Sequence, residues 1–126
     1  QLTHIDIGRL TVFTNEDIMH FISRCSKLNY ANFEHTRIED SALARLARDC
    51  PDLETLKISG CAEITEQGIE AFLDKVAEGK LKRLDIEDCV FLFNVNDGKI
   101  SERLKEEHPN IEITLSLSIS SFVFAE

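Results

Sequence analysis

A six-residue pattern, Leu-x-x-Leu-x-Leu with other apolar residues allowed at the leucine positions, returns along this chain at nearly constant spacing. Leu2-Thr3-His4-Ile5-Asp6-Ile7 is the first copy and Leu28-Asn29-Tyr30-Ala31-Asn32-Phe33 the second. Leu53-Glu54-Thr55-Leu56-Lys57-Ile58 and Leu81-Lys82-Arg83-Leu84-Asp85-Ile86 follow, and a weaker fifth starts near Ile111. The first residues lie 26, 25, 28 and 30 positions apart. The last interval carries a small insertion, which Val90-Phe91-Leu92-Phe93 accounts for as a segment packed under a turn. A period of this kind constrains a fold more than local propensity does. Each unit is one supersecondary element that can bury its apolar face only on its neighbours.

A second pattern follows each short motif. Ile18, Phe21, Ile22 and Cys25 sit at i, i+3, i+4 and i+7, as do Leu43, Leu46, Ala47 and Cys50, and again Ile69, Phe72, Leu73 and Val76. That is the stripe of an amphipathic helix. One further apolar anchor, Phe13, Ile38 or Ile64, precedes each stripe by five residues. Thr14-Asn15-Glu16-Asp17, Glu39-Asp40-Ser41 and Thr65-Glu66-Gln67 supply side-chain oxygens for N-caps and negative charge for the first turns. Cys25-Ser26, Cys50-Pro51 and Glu78-Gly79 mark the helix ends, with Pro51 unable to continue a helix and Gly79 suited to a left-handed C-cap. A looser fourth helix is expected from near Gly98 to Glu107, burying Ile100 and Leu104 and ended by Pro109.

Strand and helix together give a leucine-rich repeat, an α/β solenoid. Parallel strands lie ~4.8 Å apart and helices need ~10 Å. The sheet is therefore expected on the concave side and the helices on the convex side of a right-handed β-α superhelix. The whole chain, 1–126, reads as one repeat domain with units starting near 2, 28, 53 and 81 and a C-terminal capping strand over 110–124. The tail Leu115–Phe124 alternates apolar and small polar residues, as an edge strand does, and a bare edge of that kind invites aggregation. At the other end, terminal repeats need caps, so Leu2 to Ile7 are expected to be shielded by an upstream segment or by something else.

The chain carries 14 Lys and Arg against 23 Asp and Glu, a formal charge of −9. That sign opposes the phosphate neutralisation from which nucleic-acid affinity mostly comes, and it opposes docking on anionic lipid. No apolar run approaches the ~20 residues of a membrane-spanning helix. The four cysteines form no Cys-x-x-Cys pair, and no Asn-x-Ser/Thr acceptor occurs, so a reducing intracellular compartment is expected.

Chemistry-bearing residues do not gather in the sequence. Cys25 and Cys50 close helix stripes, while Cys61 and Cys89 stand eight residues after a repeat's first leucine, a slot held by Thr36 in the second repeat. Small buried core residues are the expectation for all four. His4, His20, His35 and His108 lack the i, i+4 spacing of a helical zinc pair and read as surface or rim residues. No phosphate loop or nucleophile elbow occurs. The expectation is a protein that is not an enzyme and holds no cofactor or metal.

The third repeat, Cys50-Pro51-Asp52-Leu53-Glu54-Thr55-Leu56-Lys57-Ile58-Ser59-Gly60-Cys61 continued by Ile64-Thr65-Glu66-Gln67-Gly68-Ile69, resembles the cysteine-containing leucine-rich repeat subtype. That subtype is typical of F-box/leucine-rich-repeat proteins, the substrate receptors of cullin-based ubiquitin ligases. The resemblance implies a substrate-recognition repeat domain, an Skp1-like adaptor bound through an F-box outside this chain, and a cytoplasmic or nuclear location. Ile38 to Leu117 also resembles mitochondrial coupling factor B, or ATP synthase subunit s, notably in the ending His108-Pro109-Asn110-Ile111-Glu112-Ile113-Thr114-Leu115. That alternative implies an assembly subunit of a membrane complex in the mitochondrial matrix. The first repeat matches the F-box type better, and acidic charge suits a matrix protein poorly.

In Leu-x-x-Leu-x-Leu the residues between the leucines face away from the core. Three columns follow: His4, Tyr30, Thr55 and Arg83; Asp6, Asn32, Lys57 and Asp85; Gly8, Glu34, Ser59 and Glu87. His4, Asp6, Tyr30, Asn32, Glu34, Thr55, Lys57, Arg83, Asp85 and Glu87 are the candidate partner-binding residues of a protein-interaction module. Tyr30 and Arg83 are of the types enriched in binding hot spots.

Overall fold

The computed structural model describes residues 2–76, 79–89 and 99–115, the last stretch with side chains from 102 onward. Five strands alternate with four helices: β1 His4–Asp6, α1 Asn15–Ser23, β2 Tyr30–Asn32, α2 Asp40–Asp49, β3 Thr55–Lys57, α3 Glu66–Val76, β4 Arg83–Asp85, α4 Lys99–Glu107 and β5 Glu112–Thr114. All strands are parallel and lie in chain order, β1-β2-β3-β4-β5. Register is uniform: Ile5, Ala31, Leu56, Leu84 and Ile113 stand side by side. This is the α/β leucine-rich repeat solenoid that the spacing predicts. The insertion at 90–93, the side chain of Ile100, Gly98 and the tail from 116 lie outside the described residues.

Each strand is only three residues long, yet the ladder continues past it. Ile7 N–H donates to Asn32 O (3.0 Å), Phe33 N–H to Lys57 O (2.8 Å), Ile58 N–H to Asp85 O (2.9 Å) and Ile86 N–H to Thr114 O (2.9 Å). Two residues on, Arg9 donates to Glu34 O, His35 to Ser59 O and Gly60 to Glu87 O. Those donors and Asp88 occupy one position in successive repeats, and all four are left-handed, with φ of 67° at Arg9, 52° at His35, 71° at Gly60 and 57° at Asp88. One turn thus sends each of the first four repeats from the sheet layer to the helix layer. Arg9 and His35 hold it at a cost of about 1–2 kcal/mol each, which the ladder offsets.

The core lies between the two layers. Leu46, Leu56, Phe72 and Leu84 share one cluster with Ile18, Ile22, Leu43, Ile69 and the other strand residues. Burying a side chain of this kind stabilises by roughly 1.5–3 kcal/mol. All four cysteines are buried and free. Cys61 Sγ donates to Phe33 O (3.1 Å), Cys89 Sγ to Ile58 O (3.2 Å) and Cys50 Sγ to Cys25 O (3.4 Å), each reaching one repeat back. Thr36 in the same slot bonds within its own repeat, its Oγ1 donating to Phe33 O at 2.7 Å.

The structure departs from the sequence expectation in several places. Thr14 caps α1 in a capping box with Asp17, as expected. Glu39 makes no side-chain cap for α2, however, and the oxygens of Asn15 and Asp40 reach across to the next repeat. Asn15 Oδ1 accepts the Glu39 N–H (2.8 Å) and Asp40 Oδ1 the Thr65 N–H (2.9 Å). Each of these two first-turn residues closes the start of the next helix, one repeat on. Gly79 is not left-handed; its N–H closes a tighter turn on Val76 O at 2.9 Å. The fifth unit is one residue short. Ile111 closes its turn on His108 O as Leu28 does on Cys25 and Leu53 on Cys50, but Ile113 already pairs with Leu84. His108 therefore takes the slot of the helix-ending cysteines and is buried, not at the surface.

Candidate protein-binding face

Because strand side chains alternate between faces, buried Ala31, Leu56 and Leu84 leave their flanking residues on the opposite side. Register puts His4, Tyr30, Thr55 and Arg83 in one row and Asp6, Asn32, Lys57 and Asp85 in the next. β5 extends both rows by Glu112 and Thr114, which the repeat motif does not reveal because the shortened fifth unit breaks it.

Tyr30 is half-buried between one ring and one cation. Its ring stacks on His4 with centroids 5.3 Å apart and planes 22° from parallel, and Lys57 Nζ stands 6.0 Å from its centroid. The lysine lies at the edge of the range in which a cation is attracted to the ring face. His4 Nδ1 is 3.1 Å from Thr3 Oγ1, which helps fix the imidazole. These neighbours reduce the rotamer freedom that Tyr30 would lose on binding.

Not every residue of the rows is free to meet a partner. Asp6 Oδ1 accepts the Gly8 N–H (3.1 Å) and Asn32 Oδ1 the Glu34 N–H (2.9 Å), so both carboxyl and amide hold their own strand ends. In the fourth repeat Ser59 Oγ does this service, accepting the Glu87 N–H at 3.1 Å. Asp85 is buried, against the expectation that it faces solvent. It accepts from Arg83 Nε at 3.3 Å, and that bond holds the guanidinium above its ordinary pKa. Arg83 itself remains exposed, between Thr55 and Glu112 in its row. Glu34, Thr55, Lys57 and Glu87 are half-exposed.

Among the described residues no group of three or more His, Cys, Asp and Glu is placed to hold a metal ion, and no helix is long and apolar enough to cross a membrane. Burial pushes the Cys50 thiol up to about 11 and the Cys89 thiol up to about 12. Neither is a nucleophile near neutral pH.

No known family profile and no curated protein sequence matches the chain. Solved structures do. The structure of Leiomodin-1 Actin-Binding Site 2 superposes with a TM-score of 0.73 at 15% identity, over 98% of this chain and 76% of that one. The tropomodulin C-terminal domain of Caenorhabditis elegans gives 0.71 at 15% identity, over 95% and 75%. The Chaetomium Mex67:Mtr2 subunits give 0.63 at 17% identity, over 90% and 78%. At such identities the likeness is one of fold: this chain shares with them the leucine-rich-repeat-type arrangement of a parallel sheet backed by helices.

Proposed function

We propose that this chain is a protein-recognition module, neither an enzyme nor a cofactor carrier, whose partner lies across the outward face of the parallel sheet. The observation that carries the reading is Tyr30, an aromatic side chain on the second strand of that face, stacked on His4 and approached by Lys57. Around it Thr55, Arg83, Glu34 and Glu87 offer donors and acceptors, while Asp6, Asn32 and Asp85 hold the frame. Aromatic anchors ringed by polar groups carry a large share of interface energy. The leiomodin structure is that of an actin-binding site, which supports a protein as the ligand for this fold.

The finer reading is the substrate-recognition part of an F-box-type ubiquitin ligase receptor, joined to an Skp1-like adaptor through a segment outside this chain. It is supported by the cysteine-bearing repeat pattern. Affinity purification from cells with the chain, with Tyr30→Ala and with Arg83→Glu, each compared with Arg103→Ala on the helix side, tests the face. A partner lost at least tenfold by the first two and kept by the third supports the reading; a partner kept by all three overturns it. Co-precipitation of an Skp1-like adaptor with the full-length gene product tests the ubiquitin-ligase assignment separately. Co-sedimentation with purified actin filaments tests whether this chain shares the partner of the leiomodin site.

A further inference from the structure

The three outward rows of the sheet carry five carboxylates, Asp6, Glu34, Asp85, Glu87 and Glu112, against two cations, Lys57 and Arg83. Part of this charge is already used. Asp6 holds the Gly8 N–H, Asp85 and Arg83 hold each other, and Glu112 stands beside Arg83 on the adjoining strand. Lys57 Nζ stands over the Tyr30 ring. Glu34 and Glu87 differ. Their backbone N–H groups are bonded, to Asn32 Oδ1 and Ser59 Oγ. Among the described residues neither carboxylate has a hydrogen bond or an ion pair of its own.

Both belong to the third row, past the ends of β2 and β4, with Ser59 between them. The bonds from His35 N–H to Ser59 O and from Gly60 N–H to Glu87 O fix that order. Strands lie ~4.8 Å apart, so groups held two strands apart are about 10 Å from each other. Tyr30 and Glu34 are four residues apart on one face, roughly 13 Å along the strand direction. An interface of ordinary size, about 800 Å² on each side, covers Tyr30 and both carboxylates together. Covering an ionised carboxylate without giving it a partner is strongly unfavourable. Whatever lies on this face must bring cations to it.

The chain does not supply them. A repeat stacked before β1 would lengthen the rows sideways and leave them uncovered. Neither the segment 90–98 nor the residues after Leu115 contain Lys, Arg or His. A second copy would bring a net charge of −9 to an acidic surface. We propose, resting on the reading of this face as the partner site, that it selects a basic segment of another protein. Lys or Arg side chains about 10 Å apart in that segment pair with Glu34 and Glu87 while its neighbouring residues pack on Tyr30. Complementary charge of this kind sets partner choice and encounter rate.

A random peptide library displayed on phage and selected against the full chain supplies the probes. Synthetic peptides of the selected sequences are measured on the chain, on Tyr30→Ala and on the double variant Glu34→Gln with Glu87→Gln. A second double variant, Glu16→Gln with Glu106→Gln, makes the same charge change at exposed positions of the helix layer. Glutamine keeps the size of glutamate, and unchanged melting temperatures confirm that the variants fold. Peptides that Tyr30→Ala weakens at least tenfold report on this face. They are expected to be basic, and to lose at least tenfold in the sheet-face double variant but less than twofold in the helix-layer one. Raising salt from about 50 to about 300 mM should weaken them at least tenfold. Tyr30-dependent peptides that are neutral or acidic, or that ignore the loss of Glu34 and Glu87, overturn this inference and leave the face itself standing. Equal loss in both double variants also overturns it, since the attraction is then that of an acidic molecule as a whole. A selection without Tyr30-dependent peptides overturns the reading of the face, and this inference falls with it.

Discussion

Asn15 Oδ1, in the first turn of α1, accepts the backbone N–H of Glu39, the N-cap residue of α2, at 2.8 Å. Asn15 is buried, and its amide also donates to Ser41 Oγ at 2.9 Å. Its replacement by alanine leaves a helix-end N–H without a partner inside the junction. A loss of about 1–3 kcal/mol is expected. Asn15→Asp keeps the accepting oxygen, as Asp40 does toward Thr65, and should retain most of the stability. Urea denaturation of both variants measures the difference.

His35 lies against Gly60 of the following repeat. A Cβ built on Gly60 would stand 2.2 Å from His35 Cε1, and Gly60 is left-handed at φ +71°. Gly60→Ala therefore meets two costs, one of backbone and one of overlap. The backbone part is about 1–2 kcal/mol. Pairing Gly60→Ala with His35→Ala removes the overlap alone. A double-mutant cycle by thermal or urea unfolding should give a favourable coupling of about 1 kcal/mol or more. No coupling would show that the ring simply swings away.

The buried thiols set an alkaline limit. Cys50 and Cys89 keep their protons to about 11 and 12 in the folded chain because burial disfavours the thiolate. An unfolded cysteine titrates near 8.5. Above that value the unfolded state holds fewer protons than the folded one, so stability is complete below about pH 8.5 and falls as pH rises toward the folded values. Each thiol contributes a slope of up to ~1.4 kcal/mol per pH unit. Denaturation midpoints from pH 8 to 11 should drop, and Cys89→Ala should flatten the decline. Iodoacetamide at pH 8 should label both thiols only after denaturant is added.

Arg103 pairs with Glu66 at 2.9 Å and with Glu70 across the α3–α4 junction. All three side chains are more than a third exposed, so solvent screens the attraction. Arg103→Ala should leave the urea midpoint nearly unchanged, and 1 M salt should erase any difference. A clear drop in the midpoint that persists in 1 M salt would mean that the guanidinium supports the packing of α4 itself.

Much of this architecture was legible because burial and strand periodicity leave the same mark on each repeat. Leu28, Leu53 and Leu81 announce the units, and the slots of Cys61 and Cys89 follow by counting. The rows of the outward face follow as well, since register is uniform and the strand period is 2. What stayed hidden depends on the distance between neighbours rather than on position within a repeat. An oxygen at Asn15 or Asp40 signals a helix start, but which N–H it meets is decided by the adjacent helix. Asp85 has the sequence position of an exposed residue and is buried against Arg83. The place of His108 could have been found: it stands three residues before Ile111, as Cys25 stands before Leu28 and Cys50 before Leu53. Its chemical difference from cysteine concealed the equivalence.

The uniform register has an evolutionary consequence. Positions separated by one period occupy the same place in the same ladder, so deleting residues 28–52 as a block would join Lys27 to Leu53 without changing the phase of either strand or helix. Gene segments of that length can be lost or duplicated while the packing rule between survivors is preserved. The molecule can thus change its reach in whole steps, whereas a slip of one residue in a strand would turn its leucines outward.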